Sequence, residues 1–423
     1  SERAIAVVLS GMGSDGTLGL QAIKAVGGLT VVQTPQSAQF DSMPKSAIDT
    51  GCADIVAPAA ELPGRILSYI AQVPDLASAV EYDVAGVVPS EPLQQIVTLL
   101  QRRTRHDFSL YKPSTLHRRI ERRMAIHGIP ALAQYADFLE QNAQEIDLLF
   151  KELLIGVTHF FRDPLVWDYL VDVALPYLLQ RRGEEHKLRV WSVGCSTGEE
   201  AYSLAIVLSE ALQQLPQPHD VSVQIFASDL SPDAIATARH GKYPLSIAVN
   251  VSPERLARYF TAHESHYQVN QSIRDMVLFA QHDVVLDLPF TKLDLIACRN
   301  LLIYFDSSLQ RRLLPLFHYS LRPGGLLLLG SSETVGRLHH LFTPLQSKLR
   351  FYQRQNDVSR SGSDFLLQSF PPLSRLPKEI SVSPSNVSNP AISNLQAAAD
   401  QVLLQVYAPA AVVLNGEGDI VYI

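Results

Sequence analysis

Residues 188–206, LRVWSVGCSTGEEAYSLAI, decide the fold. Positions 188–193 alternate and end in β-branched and aromatic residues, GCSTG at 194–198 breaks the run, and Ala201, Leu204, Ala205 and Leu208 then recur at helical spacing. The pattern predicts a strand, a tight loop and a helix. In an open α/β sheet such a loop lies at the carboxyl end of its strand, where glycines admit a ligand to the backbone and helix amides point outward. The expected fold class is a doubly wound α/β domain with a nucleotide-type site at this loop.

The loop departs from the dinucleotide fingerprint, because it carries only Gly194 and Gly198 and is followed at once by Glu199 and Glu200. Carboxylates there repel a pyrophosphate and suit a cation. S-adenosylmethionine carries a sulfonium and an ammonium and no phosphate, so it fits this loop better than NAD. Residues 223–229, VQIFASD, read as a second buried strand ending in Asp229, an acid placed to accept both ribose hydroxyls.

VGCSTGEEAYSLAI, ASDLSPDAI, LDLIACRNLLIYFD and GGLLLLGSSET, with VTHFFRD upstream at 157–163, run in order across roughly residues 92–354. Together they resemble the CheR family of chemotaxis-receptor glutamate methyltransferases. The resemblance implies a methyltransferase domain at 157–354, with a small β insertion near 251–283, and a helical receptor-recognition domain at 92–156. It implies cofactor contacts at Thr158, Arg162, Gly194, Glu200, Asp229, Asp283, Val284, Arg299 and Asn300. Arg162 would orient the acceptor carboxylate and Tyr304 would fix the reacting groups. A buried Arg or Tyr at the edge of the sheet can equally satisfy backbone carbonyls. Two positions depart from the pattern: Gly156 and Asp283 stand where relatives often carry Asn. A carboxylate accepts hydrogen bonds but cannot donate like an amide.

The chain opens on a strand at 4–9, GMGSDG at 11–16, a helix at 17–26, a glycine stop and a strand at 29–33. With DSMPKSA at 41–47, this resembles the carboxyl-terminal part of the CheB receptor methylesterase, and a natural start upstream is expected. The resemblance implies that Asp15 completes a Ser, His and Asp triad, fixing the imidazole, and that Met12 lends its backbone N–H to the oxyanion. No Gly-x-Ser-x-Gly elbow occurs within this segment, and the first histidine is His106. Segment 1–73 is therefore a partial esterase in which Asp15 is vestigial or parental; by local spacing alone Asp15 could simply cap a helix.

From Arg102 to Arg123 eight basic residues face only Asp107 and Glu121. On the predicted helix at 114–126, Leu116, Ile120 and Met124 form one stripe, with Arg118 and Arg122 pointing away from it. Such a run is either a solvated face or a docking face for an acidic partner. Receptor methylation helices are rich in Glu and Gln, so Arg118, Arg119 and Arg122 are the candidate docking residues. Residues 74–91 read as a linker, and 355–393, rich in Ser, Pro and Asn, as a flexible one. Residues 394–423, with helical spacing at 395–407 and a hairpin around NGEGD at 415–419, resemble the start of a PAS sensor domain.

With 423 residues, 47% of them hydrophobic, the chain fills two or three domains. A net charge of −7 supplies no basic field for nucleic acid. Cys52, Cys195 and Cys298 lack metal-ligand spacing. No apolar run has the length of a membrane span and no signal peptide is visible, so a cytoplasmic location is expected. The expected partners are chemoreceptor cytoplasmic helices and sensor-kinase pathway components. Competing functions are a methyltransferase with another acceptor, such as a small molecule or RNA, a noncatalytic cofactor-binding scaffold, and an ester hydrolase, which needs the absent Ser and His.

Overall fold

Three short parallel strands begin the chain in this computed structural model, which describes residues 4–25, 28–72, 90–154, 156, 158–180, 187–213 and 221–356, and the backbone of 413–414 and 420–422. The linkers expected at 74–91 and 355–393 and the helix expected at 395–407 lie almost wholly outside these residues. β1 (Ile5–Val8), α1 (Thr17–Ala25), β2 (Leu29–Gln33), α2 (Ser42–Asp49), β3 (Ile55–Ala57) and α3 (Leu62–Gln72) form the esterase-like segment, with strand order β1-β2-β3. β2 is central and buried throughout, as its unbroken LTVV run requires. Asp15 lies exposed in the turn before α1, and Met12 beside it is 71% exposed.

The helical domain follows as α4 (Glu91–Thr104), α5 (Pro113–His127), α6 (Leu132–Gln141) and α7 (Ala143–Leu153). Pro113 starts α5 at a position that needs no N–H, and Gly128, at φ +68°, ends it in a left-handed cap. Leu116, Ile120 and Met124 are buried as their spacing predicts. Arg122, expected to point into solvent, is buried as well, which corrects its place on a docking face. The reason is that α5 has a second covered side: its Ala125 packs with Leu29, Val31, Ile55 and Tyr69 of the esterase-like segment.

A buried polar cluster also ties α5 to α6 and α7. Arg123 donates to Glu145 at 2.8 and 2.6 Å, His127 lies 2.9 Å from the same carboxylate, and the Tyr135 hydroxyl donates at 2.8 Å. Burial pushes the Glu145 carboxyl up, but the His127 and Arg123 bonds outweigh it and hold the pKa at about 2. The folded value lies below the unfolded one, so the stabilisation is complete above about pH 4.5 and is lost as pH falls toward 2. It amounts to about 3 kcal/mol. Glu145→Gln is expected to lower stability at neutral pH and to flatten the acid limb of the stability profile, measured by urea unfolding from neutral pH to about pH 3.

The remaining domain comprises α8 (Pro164–Tyr169), a π-turn (Leu170–Ala174), α9 (Leu175–Gln180), β4 (Lys187–Val193), α10 (Glu199–Gln213), β5 (Ser222–Asp229) and α11 (Pro232–His240). β6 (Lys242–Pro244), α12 (Pro253–Tyr259), β7 (Phe260–Ala262), β8 (His266–Val269) and α13 (Gln271–Arg274) come next. β9 (Val277–Gln281), β10 (Leu293–Cys298), α14 (Ser307–Ser320), β11 (Leu321–Leu329), β12 (Phe342–Gln346) and β13 (Phe351–Arg354) complete it. The sheet order is β12-β13-β11-β10-β4-β5-β9, parallel from β11 to β9 and antiparallel at the β12–β13 edge.

Both faces of the sheet are buried. Leu188, Val190, Ile225, Ala227, Leu295 and Ala297 join one core, while Trp191, Val193, Phe226 and Ile296 join another that they share with Leu93, Ile96 and Leu116 of the helical domain. β4 lies where the strand order reverses, so a crevice opens beyond its carboxyl end.

The β insertion expected near 251–283 needs correction. The run MVLFAQHD does not belong to the β insertion; it forms β9, paired in parallel with β5 at the edge of the main sheet. An edge strand with Leu278 exposed and Phe279 buried has the same alternation as a hairpin arm. The insertion is instead the small antiparallel sheet β6-β8-β7. Pro323, Gly324 and Gly325 lie inside β11, where the register against β10 shifts between Leu293 and Leu295.

Among the described residues no helix is long and apolar enough to cross a membrane. In a separate unit, 372–423, β14 (Val413–Leu414) and β15 (Ile420–Tyr422) pair antiparallel as the predicted hairpin, which is too little to define a sensor domain.

Candidate functional site

The loop after β4 turns through Gly194 at φ +67° and Gly198 at φ +97°. A Cβ on Gly194 would meet Leu301 at 3.1 Å, and one on Gly198 would meet Ala238 at 2.8 Å, so glycine is needed for space as well as for backbone conformation. Beyond the loop lies a cavity of about 270 Å³. It is lined by Thr158, Arg162, Gly194, Glu200, Asp229, Asp283, Val284, Arg299, Asn300 and Tyr304, together with Arg118 and Arg119 of α5. Asp15 and Arg122 are not among its lining residues.

At the carboxyl end of β5, the two oxygens of Asp229 accept the backbone N–H groups of Ser196 at 2.8 Å and Ser231 at 2.9 Å. Burial raises its pKa, and those amides oppose the rise. Each oxygen retains a lone pair toward the cavity. Of the two acids following the loop, only Glu200 lines the cavity. Glu199 accepts from the Thr197 hydroxyl at 2.6 Å, and burial pushes its pKa up to about 7. The expectation that both acids face a cation is corrected: adjacent helix positions point about 100° apart.

Arg299 is buried and hydrogen-bonded through both terminal nitrogens. It donates to Glu200 at 3.1 Å, to Asp163 at 2.7 Å and to the Arg162 carbonyl at 3.1 Å, and lies 5.7 Å from the Trp167 ring centroid. Burial raises the Glu200 pKa, and Arg299 opposes that most strongly. The backbone N–H of Asn300, at φ +60°, is held by Glu333 at 3.0 Å. Glu333 also accepts from Gly330 at 2.6 Å and Ile303 at 3.3 Å, so one buried carboxylate shapes the whole loop after β10. Sequence reasoning missed this role; the residue sits in the quoted block GGLLLLGSSET, but nothing in its spacing marks it.

His106 was missed too. Its Nδ1 lies 2.5 Å from Asp283 Oδ2 and its Nε2 lies 3.0 Å from the Tyr111 hydroxyl, while the other Asp283 oxygen accepts from the Val285 N–H at 2.8 Å. Burial, and then Asp283, push the Tyr111 pKa upward, so its hydroxyl keeps its proton. An ionised carboxylate only accepts, so Nδ1 is the donor in its bond to Asp283. Both Asp283 oxygens face donors, His106 Nδ1 and the Val285 N–H, which an Asn with its one acceptor oxygen could not match. The departure at Asp283 was the available signal.

The sheet side of the cavity thus brings Glu200, Asp229 and Asp283, and α5 and the segment before α8 bring Arg118, Arg119 and Arg162. The acidic side and the glycine cradle fit S-adenosylmethionine, a ligand that is cationic at sulfur and at its amine. Gly156, where a contact was in doubt, also lines the cavity, and a Cβ there would approach the Ser196 hydroxyl oxygen to 3.5 Å.

A doubly wound domain with an acidic glycine loop at its switch point defines a methyltransferase that uses S-adenosylmethionine. The chain belongs to the CheR methyltransferase family, matching the family's SAM binding domain at residues 156–351 and its all-alpha domain at 91–154. Residues 1–66 match the CheB methylesterase family. A chemotaxis protein methyltransferase of Salmonella typhimurium is 33% identical over 261 residues, covering 59% of this chain and 86% of its own length. Chemotaxis protein methyltransferase 1 of Pseudomonas aeruginosa is 33% identical over 52% of this chain and 81% of its own. A 104.1 kDa protein of Rhodobacter capsulatus is 39% identical over 370 residues, 83% of this chain, and the chain spans 39% of that protein's length.

Proposed function

We propose that this chain transfers a methyl group from S-adenosylmethionine to side-chain carboxylates of chemoreceptor glutamates, giving γ-methyl esters, in the cytoplasm. The supporting observation is a single cavity that brings the carboxylates of Glu200, Asp229 and Asp283 together with the guanidiniums of Arg118, Arg119 and Arg162. A glutamate carboxylate is already ionised at neutral pH, so the reaction needs no strong base. The bound cofactor supplies an electrophilic methyl group. The protein's task is to hold the acceptor oxygen in line and to exclude water, and orientation can supply about 7–11 kcal/mol in favourable cases.

Arg162 and Arg119 hold the acceptor carboxylate through charge-assisted bonds, Tyr304 fixes the reacting groups, and Arg118, exposed at the mouth, meets the acidic receptor helix. Tight pairing in the ground state would slow transfer, so several moderate contacts serve better than one clamp. Thr158, Gly194, Glu200, Asp229 and Asn300 belong to the cofactor side, with Asp283 and Val284 at its adenine end. We assign no ester hydrolysis to this chain, since its residues 1–66 contain no histidine to partner Asp15.

The test is incubation with methyl-labelled S-adenosylmethionine and receptor cytoplasmic fragments. Base-labile label that disappears when the receptor glutamates become alanine is the expected result. Cofactor binding without transfer to any receptor fragment would instead favour a scaffold or a different acceptor.

A further inference from the structure

Five charged side chains meet in a buried cluster where the esterase-like segment touches the helical domain. Lys24 and Asp54 come from the first, and Arg119, Arg122 and Glu152 from the second. Lys24 Nζ lies 2.5 Å from Asp54 and 3.0 Å from Glu152. Arg122 lies 2.8 Å from Asp54 and 2.5 Å from Glu152, and donates to the Gly28 carbonyl at 2.6 Å. Thr30 donates twice more to Asp54, and the Tyr69 hydroxyl adjoins Arg122. The Asp54 and Glu152 side chains are 1% and 2% exposed, so their charges are shielded from water.

Within this cluster three cations share two carboxylates, leaving one positive charge in excess. Lys24 and Arg122 each engage both acids at 3.0 Å or less, whereas Arg119 meets Glu152 at 3.5 Å and also lines the cavity. Arg118 beside it adds repulsion. Without Lys24 the cluster would be neutral, and Coulomb attraction in a site this dry would draw Arg119 onto Glu152.

We propose that Lys24 is a positioning residue for methyl transfer: by occupying Glu152 from the esterase-like segment, it keeps Arg119 directed at the acceptor carboxylate. The proposal rests on the acceptor role given to Arg119 above. It makes the partial esterase a working part of the methyltransferase, since displacing that segment withdraws Lys24 and changes the charge presented to the acceptor.

The test uses the full chain, a receptor cytoplasmic fragment and S-adenosylmethionine. Lys24→Met is expected to raise KM for the receptor about 5- to 20-fold, leaving kcat and cofactor Kd within about twofold. Lys24→Arg should restore KM, and in an Arg119→Gln background Lys24→Met should add nothing. Lys24→Met/Glu152→Gln restores the excess charge and removes the competing carboxylate, so its KM should return toward wild type even where the single variant folds poorly. An unchanged KM in folded Lys24→Met, an undiminished effect in the Arg119→Gln background, or a double variant that keeps the raised KM would each overturn the proposal. Absence of transfer by the wild-type chain would overturn the acceptor assignment itself, and this proposal with it.

Discussion

Replacing Arg299 by methionine is expected to weaken cofactor binding and methyl transfer by about 100-fold or more and to destabilise the fold by about 3–5 kcal/mol. The guanidinium joins three pieces of chain: Glu200 at the start of α10, Asp163 before α8, and the Arg162 carbonyl. Phe161 and Asp163 adopt positive φ values of 51° and 59°, a conformation that costs about 1–3 kcal/mol each and persists only when neighbours impose it. Methionine fills the space against Trp167 but supplies no donor, so that loop relaxes and carries Arg162 away from the cavity. Glu200 meanwhile loses the group that most opposes its burial, and its pKa climbs further. Calorimetric titration with S-adenosylmethionine and a thermal melt measure the two effects. Arg299→Lys, which keeps the charge but cannot span all three acceptors, should recover part of the binding and less of the stability. Wild-type cofactor affinity in folded Arg299→Met would refute the assignment.

How much of this site the sequence reveals depends on how far apart its interacting residues lie. The β4–loop–α10 unit was legible because one short stretch, 188–208, switches from alternation to helical spacing at a glycine break and contains the whole signal. Asp229 followed from the next strand. The side chain of Arg122 was misplaced because its partners Asp54 and Glu152 lie 68 and 30 residues away, and ion pairs leave no apolar stripe to betray a buried face. His106 reaches Asp283 across 177 residues, and only the unusual acid at 283 hinted at a donor opposite. Glu333 binds backbone amides, which every residue carries, so no side-chain pattern announces it. Local periodicity thus gives elements and the loop that holds a ligand, whereas the polar bonds that aim the side chains are long-range.

Asp229 offers the sharpest discrimination between a positioning acid and a merely acidic one. Asp229→Ala is expected to weaken S-adenosylmethionine binding by about 100-fold, equivalent to about 2.7 kcal/mol. Asp229→Asn should be nearly as damaging, although it is isosteric. Two backbone N–H groups, from Ser196 and Ser231, point at the two carboxylate oxygens. An amide has one acceptor oxygen, so one of those N–H groups would meet an NH₂ group, donor against donor, in a site where burial makes an unmade bond costly. Either the loop at Ser196 or the turn at Ser231 must then move, and the loop at Ser196 also carries the glycine cradle. Asp229→Glu keeps both acceptors but pushes them one methylene deeper into the cavity, so it should preserve stability better than affinity. Titration calorimetry with the cofactor and thermal melts on the three variants separate these outcomes. If Asp229→Asn bound as tightly as wild type, the paired amides would not be what holds this acid in place, and its role would reduce to a contact any polar group could make.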